Sequence, residues 1–458
     1  MSKKLFILLA LALVLSLALA ACGGSRSEPT QAPAPTKAAE ATQPAKAEEP
    51  TKAPEATKAP EATQPPAEAE AVTITYWEQE GDDVDVFLDK LAQKFMDENP
   101  NITIERVHYA NEDLRDQFQV ASLAGEAPQL VRVPNDFAGP FSALDIIYPA
   151  DKLFDDAFLG RFFDGSLEPA MVSGKLWGVP DNYGNHLMLL YNKEMVDEVP
   201  DNTDAWIEQM KGLTHDDVYG LAYNLNEPFW LAPWLGGFGG WPLDENDNPT
   251  LDSEAMVNAL QFVHDLKFKD KVVPEEADYG TAESMFKEGK AAYFINGDWA
   301  LGGYVEGDNK LPFDFGVTAM PKVSQTGLWP SPMTSGKYWM VSNQVEGDQL
   351  EAVKAFIRYM TSDEVQEQWL TKFKRLPSSQ NVAETAKAIK DDPILAGSME
   401  QLSHGRGMPA APQMRCAWDA MRPNLEAVMA DQSTPADAAK AMQESADTCV
   451  QEAGFNNQ

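Results

Sequence analysis

Basic residues are scarce in this chain. Of 458 residues, 36 are Lys or Arg and 71 are Asp or Glu, for a formal net charge of -35. Seven of the bases and eight of the acids fall before residue 72, so the remainder carries 29 bases against 63 acids. Such a body repels phosphate backbones, which argues against nucleic acid as a partner and disfavours an anionic ligand unless cations are gathered locally. Histidine and cysteine are scarcer still. The five His (108, 186, 215, 264 and 404) show no metal-ligand spacing, so neither metal nor cofactor is expected. Cys22, Cys416 and Cys449 suggest no nucleophile, and there is no G-x-S-x-G, P-loop or G-x-G-x-x-G. Carboxylates are so abundant that no pair singles out a glycosidase site, and no catalytic residue is assigned. Beyond residue 21, no apolar run is long enough to cross a bilayer.

The N-terminus is where apolar residues do concentrate. Lys3 and Lys4 precede the run Leu5–Ala21, followed by Cys22, in the pattern of a signal peptide. Leu19-Ala20-Ala21-Cys22 resembles the lipobox of bacterial lipoproteins, which implies cleavage after Ala21 and lipid on the Cys22 sulfur; an ordinary secretory signal is the alternative. With two or more acyl chains the protein would be held at the membrane, outside the cytoplasm. Residues 22–71 then form a Pro, Ala, Thr, Lys and Glu linker with KAPEAT repeated at 52–57 and 58–63. That composition buries no core and is expected to be extended and disordered.

From Val72 onward the pattern changes to alternating strand and helix. Val72–Trp77 alternates as a strand, and Val84, Phe87, Leu88, Leu91 and Phe95 recur at helical spacing up to Asn99-Pro100. Ile102 and Ile104 open a second strand, Leu114 and Phe118 mark a helix closed by Gly125, and Gln129–Val133 is a third strand. This order predicts a parallel α/β sheet with right-handed crossovers. A second α/β unit is read from Leu187–Asn192, Val218–Leu225, the helix Asp252–Lys269 and the strand Ala291–Ile295. The length favours two lobes over one core. Asp348-x-x-Glu351 and Thr361-x-x-Glu364 read as capping boxes. Gln413–Ala430 and a helix capped by Thr434-Pro435 form a terminal hairpin. Antiparallel packing there brings Cys416 near Cys449, as a disulfide or as two free thiols.

Aromatic residues gather where loops are expected. Glu227-Pro228-Phe229-Trp230 follows a strand, Trp234 and Trp241 flank a Gly-rich run, Trp299 follows Asn296-Gly297-Asp298, and Trp418 lies in the terminal hairpin. Any one Trp is more often core than ligand platform, but several at loop starts reverse that reading. A flat ring beside charged or amide groups suits the C–H face and hydroxyls of a sugar. Glu227 near Phe229, and Arg422 one helical turn from Trp418, make such pairs.

The chain resembles the bacterial extracellular solute-binding proteins of ABC importers, and within them the maltose/maltodextrin-binding branch. The resemblance runs from about Ile74 to Cys449. It is carried by Leu190-Tyr191-Asn192-Lys193, Asn224-Leu225-Asn226-Glu227-Pro228-Phe229, Asp278-Tyr279, Ile295-Asn296-Gly297-Asp298-Trp299-Ala300, Met408-Pro409 and Pro412-Gln413-Met414. It implies a two-lobed, type II periplasmic-binding-protein architecture. Residues 72–182 and 327–380 would form the first lobe, and 183–326 and 381–455 the second, with the ligand between them. It further implies that Glu227, Phe229, Trp230, Tyr279, Trp299, Met408, Trp418 and Arg422 border the sugar in the second lobe, with Asp82, Asp136 and Asn185 as contacts from elsewhere. Asp83 and Asp113 stand where the branch carries lysines, Arg115 replaces an acid, Val133 a Trp and Phe137 an Arg. The expected protein is a monomeric, lipid-anchored receptor that hands an oligosaccharide to permease subunits. An exported glycan-degrading enzyme, or a receptor for another polyol or a glycerol-phosphate-type solute, is the alternative.

Overall fold

The structure, a computed structural model, describes residues 71–276, 278–306, 309–385 and 391–455. Cys22 and nearly all of the Pro-rich segment lie outside them. Strand β1 (Val72–Glu78) buries Ile74 and Tyr76 on one face. Helix α1 (Asp82–Glu98) lays Val84, Phe87, Leu88, Leu91 and Phe95 into the same core, as its 3.6-residue period requires. Strand β2 (Ile102–His108), helix α2 (Asn111–Ala124) and strand β3 (Leu130–Pro134) follow, with β1 parallel to both β2 and β3. Helix α2 stops at Gly125, whose φ of 78° is the left-handed conformation that a helix end favours in glycine.

After β4 (Val179–Pro180) the chain passes to a second sheet made of β5 (Leu187–Asn192), β6 (Tyr219–Ala222), β7 (Ala291–Gly297) and β8 (Phe315–Thr318), in the order β8-β5-β7-β6. Strand β5 is apolar almost throughout because both its faces are covered. Leu187 and Leu189 join a core with Trp206 and Trp234, whereas Met188 and Leu190 join one with Phe286 and Phe294. Strand β9 (Lys337–Val341) then returns to the first sheet, antiparallel to both its neighbours, giving β2-β1-β3-β9-β4.

The segments that pass between the sheets meet one another. Asn182–Tyr183 pairs antiparallel with Leu376–Pro377, and Gly184 bridges Ser335. They pack so closely that a Cβ on Gly336 would lie 2.1 Å from the Asn182 carbonyl oxygen.

Further helices surround the second sheet: α3 (Pro228–Gly237), α4 (Glu254–Phe268), α5 (Tyr279–Lys287) and the hairpin of α6 (Gln413–Met429) with α7 (Pro435–Ala453). Thr434 caps α7 through the Asp437 N–H, with Pro435 at the first helical position. Cys416 and Cys449 are disulfide-bonded across the hairpin, with their Cα atoms 5.6 Å apart.

Three local expectations shift. The Gly-rich aromatic run is largely helix α3, and its Trp234, like Trp241, packs into the core. Asp348 lies inside a helix that begins at Gly347 and has no side-chain cap. The cap at the next helix is Ser362, which accepts from the Val365 N–H, because the Thr361 hydroxyl is spent on the Ile357 carbonyl of the helix before. Among the described residues, no helix is long and apolar enough to cross a membrane.

Candidate ligand-binding cleft

One wall of the cleft is aromatic and belongs to the second core. Strand β7 runs through Gly297 in extended conformation (φ −96°), so the Asn-Gly-Asp stretch needs no left-handed residue. The glycine provides space instead: a Cβ there would come within 2.0 Å of the Trp299 indole, which folds back over the strand end. Asp298 fixes this corner from below. Its carboxylate accepts the Asn185 backbone N–H at 3.0 Å and lies 3.7 Å from His186 Nδ1. Burial raises the Asp298 pKa and lowers that of His186, with each partner opposing the shift of the other.

Pro228 starts α3 and sets Phe229 and Trp230 beside Trp299. The ring centres lie 6.1 Å apart for Phe229 and Trp299, 5.9 Å for Trp230 and Trp299, and 6.5 Å for Phe229 and Trp418. Tyr279, at the start of α5, packs 5.7 Å from Trp230, and its hydroxyl accepts the Trp299 indole N–H at 3.3 Å. All five rings are half-buried, whereas Trp206 and Trp234 are wholly enclosed.

The facing wall is charged. Asp136 sits in the turn after β3 and accepts from Arg115 at 3.3 Å and from the Trp418 indole N–H at 3.2 Å. Burial raises its pKa despite Arg115. The Arg115 guanidinium lies 4.4 Å from the centre of the Phe137 ring and donates to Glu112 at 2.8 Å. Glu112 also takes Arg415 at 2.8 Å and stands 3.6 Å from Arg422, which in turn donates to Glu227 at 2.5 Å. Burial works against the Arg422 charge, but the Glu227 hydrogen bond and the charges of Glu227, Glu112 and Glu426 together outweigh it and raise the pKa. Charges therefore run from α2 to α6 across the opening.

Deeper on the same side lies a buried ionic group. Arg132 donates twice to Asp181, at 2.8 and 2.6 Å, and once to Glu80. Arg375 grips both oxygens of Glu80, at 3.0 and 2.6 Å. Burial alone would raise the Glu80 pKa, yet Arg375 and Arg132 hold it well below the usual carboxylate range.

These walls enclose a cavity of about 1090 Å³, large enough for a small oligosaccharide. Ten of the eleven sequence-derived contact residues line it: Asp136 and Asn185; Glu227, Phe229 and Trp230; Tyr279 and Trp299; and Met408, Trp418 and Arg422. The eleventh, Asp82, has its side chain outside the described residues; its neighbours Glu80, Gly81 and Val84 border the cavity. Sequence reasoning misses Glu80, Glu112, Lys337 and Arg375, which also line it. Glu112 carries one usable signal, an acid in the first turn of a helix that follows a strand. Lys337 and Arg375 carry none, because a lone cation in a strand or loop reads as surface.

Two sheets, three pairing crossover segments and a cavity between an aromatic and a charged wall define a two-lobed binding protein. A family model for bacterial extracellular solute-binding proteins matches residues 90–397, and the chain belongs to that family. It is similar to a maltotriose-binding protein of Pyrococcus abyssi, 26% identical over 375 residues that make up 80% of this chain and 79% of that one. Among solved structures it is similar to the maltose/maltodextrin-binding domain MalE of Bdellovibrio bacteriovorus bound to maltotriose. That match has a TM-score of 0.79 and 34% identity, covering 83% of this chain and 100% of the other. The maltotriose-binding protein of Thermus thermophilus, bound with maltotriose, gives a TM-score of 0.74 at 25% identity over 82% and 100% of the two chains. The architecture is that of the type II periplasmic binding proteins.

Proposed function

We propose that this protein is a lipid-anchored extracellular receptor that binds a maltodextrin-like oligosaccharide and delivers it to an ABC importer. The observation that carries the reading is the pairing of walls: Phe229, Trp230, Trp299 and Trp418 from one side, and Glu112 and Asp136 from the other, around a single cavity. Aromatic faces take the C–H face of a pyranose ring, while charged groups take its hydroxyls. The maltotriose named for the relatives above is the natural first ligand. The lining is rich in carboxylates (Glu80, Glu112, Asp113, Asp136, Glu227 and Glu283), which opposes a phosphate-bearing solute.

In this reading residues 72–182 and 327–380 are one lobe and 183–326 and 381–455 the other, with the paired crossover segments as the hinge. Sugar drives closure only through contacts that improve when the lobes meet. The permease reads the closed form, and a lipidated Cys22 keeps the receptor near it. The receptor works as a monomer and performs no chemistry on the sugar.

A Trp-fluorescence titration against maltose, maltotriose, trehalose, cellobiose and glycerol phosphate tests the ligand class. Saturable binding of the α-linked glucosides is expected. Binding of glycerol phosphate alone, or release of shorter sugars after long incubation with maltodextrin, would overturn the reading.

A further inference from the structure

The ionic group at the floor of the cavity holds one cation too many. Glu80 is taken by Arg375 and Arg132, and Asp181 by Arg132 and the Trp339 indole N–H at 3.1 Å. Asp136 is occupied by Arg115 and Trp418. Lys337, the first residue of β9, lies among these groups with only 8% of its surface exposed, and it borders the cavity. Among the described residues its ammonium makes no hydrogen bond or ion pair, although its backbone N–H donates to Asn182 at 3.3 Å.

An ammonium this deeply placed, with no acceptor from the protein, takes its partners from whatever fills the cavity. Every nearby carboxylate is already engaged by other donors. The open direction is the cavity.

We propose that Lys337 is a specificity-determining residue of the cleft, its ammonium donating to hydroxyl oxygens of the bound sugar. This deepens the oligosaccharide reading and rests on it. A neutral, hydroxyl-rich ligand suits the site better than an anion, because the same lining carries several carboxylates. Donation from a charged group is also stronger than from a neutral one, which makes the contact discriminating.

The charged and titratable groups that face Lys337 set how it responds to pH. They are Glu80, before α1; Arg132, on β3; Asp136, in the turn after β3; Asp181, after β4; Asp298, after β7; and Arg375, beside the crossover. Burial pushes the ammonium down to about 8, with Arg132 and Arg375 adding to the shift and Glu80 opposing it. If only the charged form binds sugar well, apparent Kd rises as the pH passes through that value, by about tenfold between pH 7 and pH 9.

The experiment is a maltotriose titration by calorimetry at pH 7 and pH 9 on the wild-type protein, Lys337→Met and Lys337→Arg, with circular dichroism to check folding. The wild type should weaken about tenfold at pH 9. Lys337→Met should be at least tenfold weaker at pH 7 and insensitive to pH. Lys337→Arg should bind at both pH values without the pH dependence. Equal wild-type affinity at the two pH values, or a folded Lys337→Met variant that binds like wild type, overturns the role of Lys337 while leaving the sugar receptor standing. Absence of maltotriose binding to the wild type at pH 7 overturns the ligand reading and this inference together.

Discussion

The indole N–H of Trp418 donates to Asp136 Oδ2 across 3.2 Å, linking helix α6 on the second core to the turn after β3 on the first. The bond fixes the ring's orientation while the ring stays half-buried beside the cavity. Trp418→Ala should weaken maltotriose binding by about 2 kcal/mol, roughly thirtyfold in Kd, as expected for an aromatic anchor. Trp418→Phe keeps a stacking face, loses the N–H and should fall between the two. A fluorescence or calorimetric titration measures both, and unchanged affinity in Trp418→Ala would remove the ring from the site.

Gly297→Ala gives a sharper test of the neighbouring platform. The new methyl would meet the Trp299 indole at 2.0 Å, so the ring must swing away. The variant should bind sugar about as poorly as Trp299→Ala, although only one carbon has been added and the fold is kept. Wild-type affinity in a folded Gly297→Ala protein would show that the ring's position is immaterial.

Glu80 joins two buried guanidinium groups, so its neutralisation leaves both short of an acceptor. Glu80→Gln should cost about 3–5 kcal/mol of stability, the usual result of breaking a buried pair from one side. Its carboxyl pKa is lower in the folded state than in the unfolded one. The stabilisation is therefore complete above the unfolded carboxyl pKa and is lost as the pH falls through the folded value. Denaturant unfolding followed from pH 7 down through about pH 4 to about pH 2 should show a larger loss of stability below pH 4 in wild type than in the variant.

The Cys416–Cys449 bond closes a loop with a sequence separation of 33. On loop entropy alone, the double Ser variant should lose about 3–4 kcal/mol. Comparing denaturation midpoints of the oxidised protein and the variant measures this. No difference would mean that the hairpin is held by packing alone.

How much of the fold and the cleft is legible in the amino-acid sequence depends on the range of the signal. The apolar period of α1, the left-handed stop at Gly125 and the Thr434-Pro435 start of α7 are local, and the chain spells them out within a few residues. The aromatic cleft residues are legible because turn-flanked aromatics are visible one stretch at a time. Ser362 displaces Thr361 as a cap because two adjacent hydroxyls compete, and only the preceding helix decides which is free. Glu80, Arg132, Asp181, Lys337 and Arg375 come together from five separate segments, with Arg375 lying 295 positions from Glu80. No window of sequence holds that cluster, and each member alone looks like an ordinary surface charge. Gly297 reads as a turn residue for a related reason: its partner is a ring two residues on, and only the fold brings that ring back over it.

The five rings of the aromatic wall all hang from one scaffold, and most of the charges that face them hang from the other. In the proposed reading, grip and selectivity are lodged in separate modules. A lineage could exchange one sugar for another by rewriting β3, α2 and the start of β9, while the stacking surface stayed untouched. That reading also sets an order of events: the sugar first adheres to the ring-bearing half, and its hydroxyl pattern then decides whether the second half locks down.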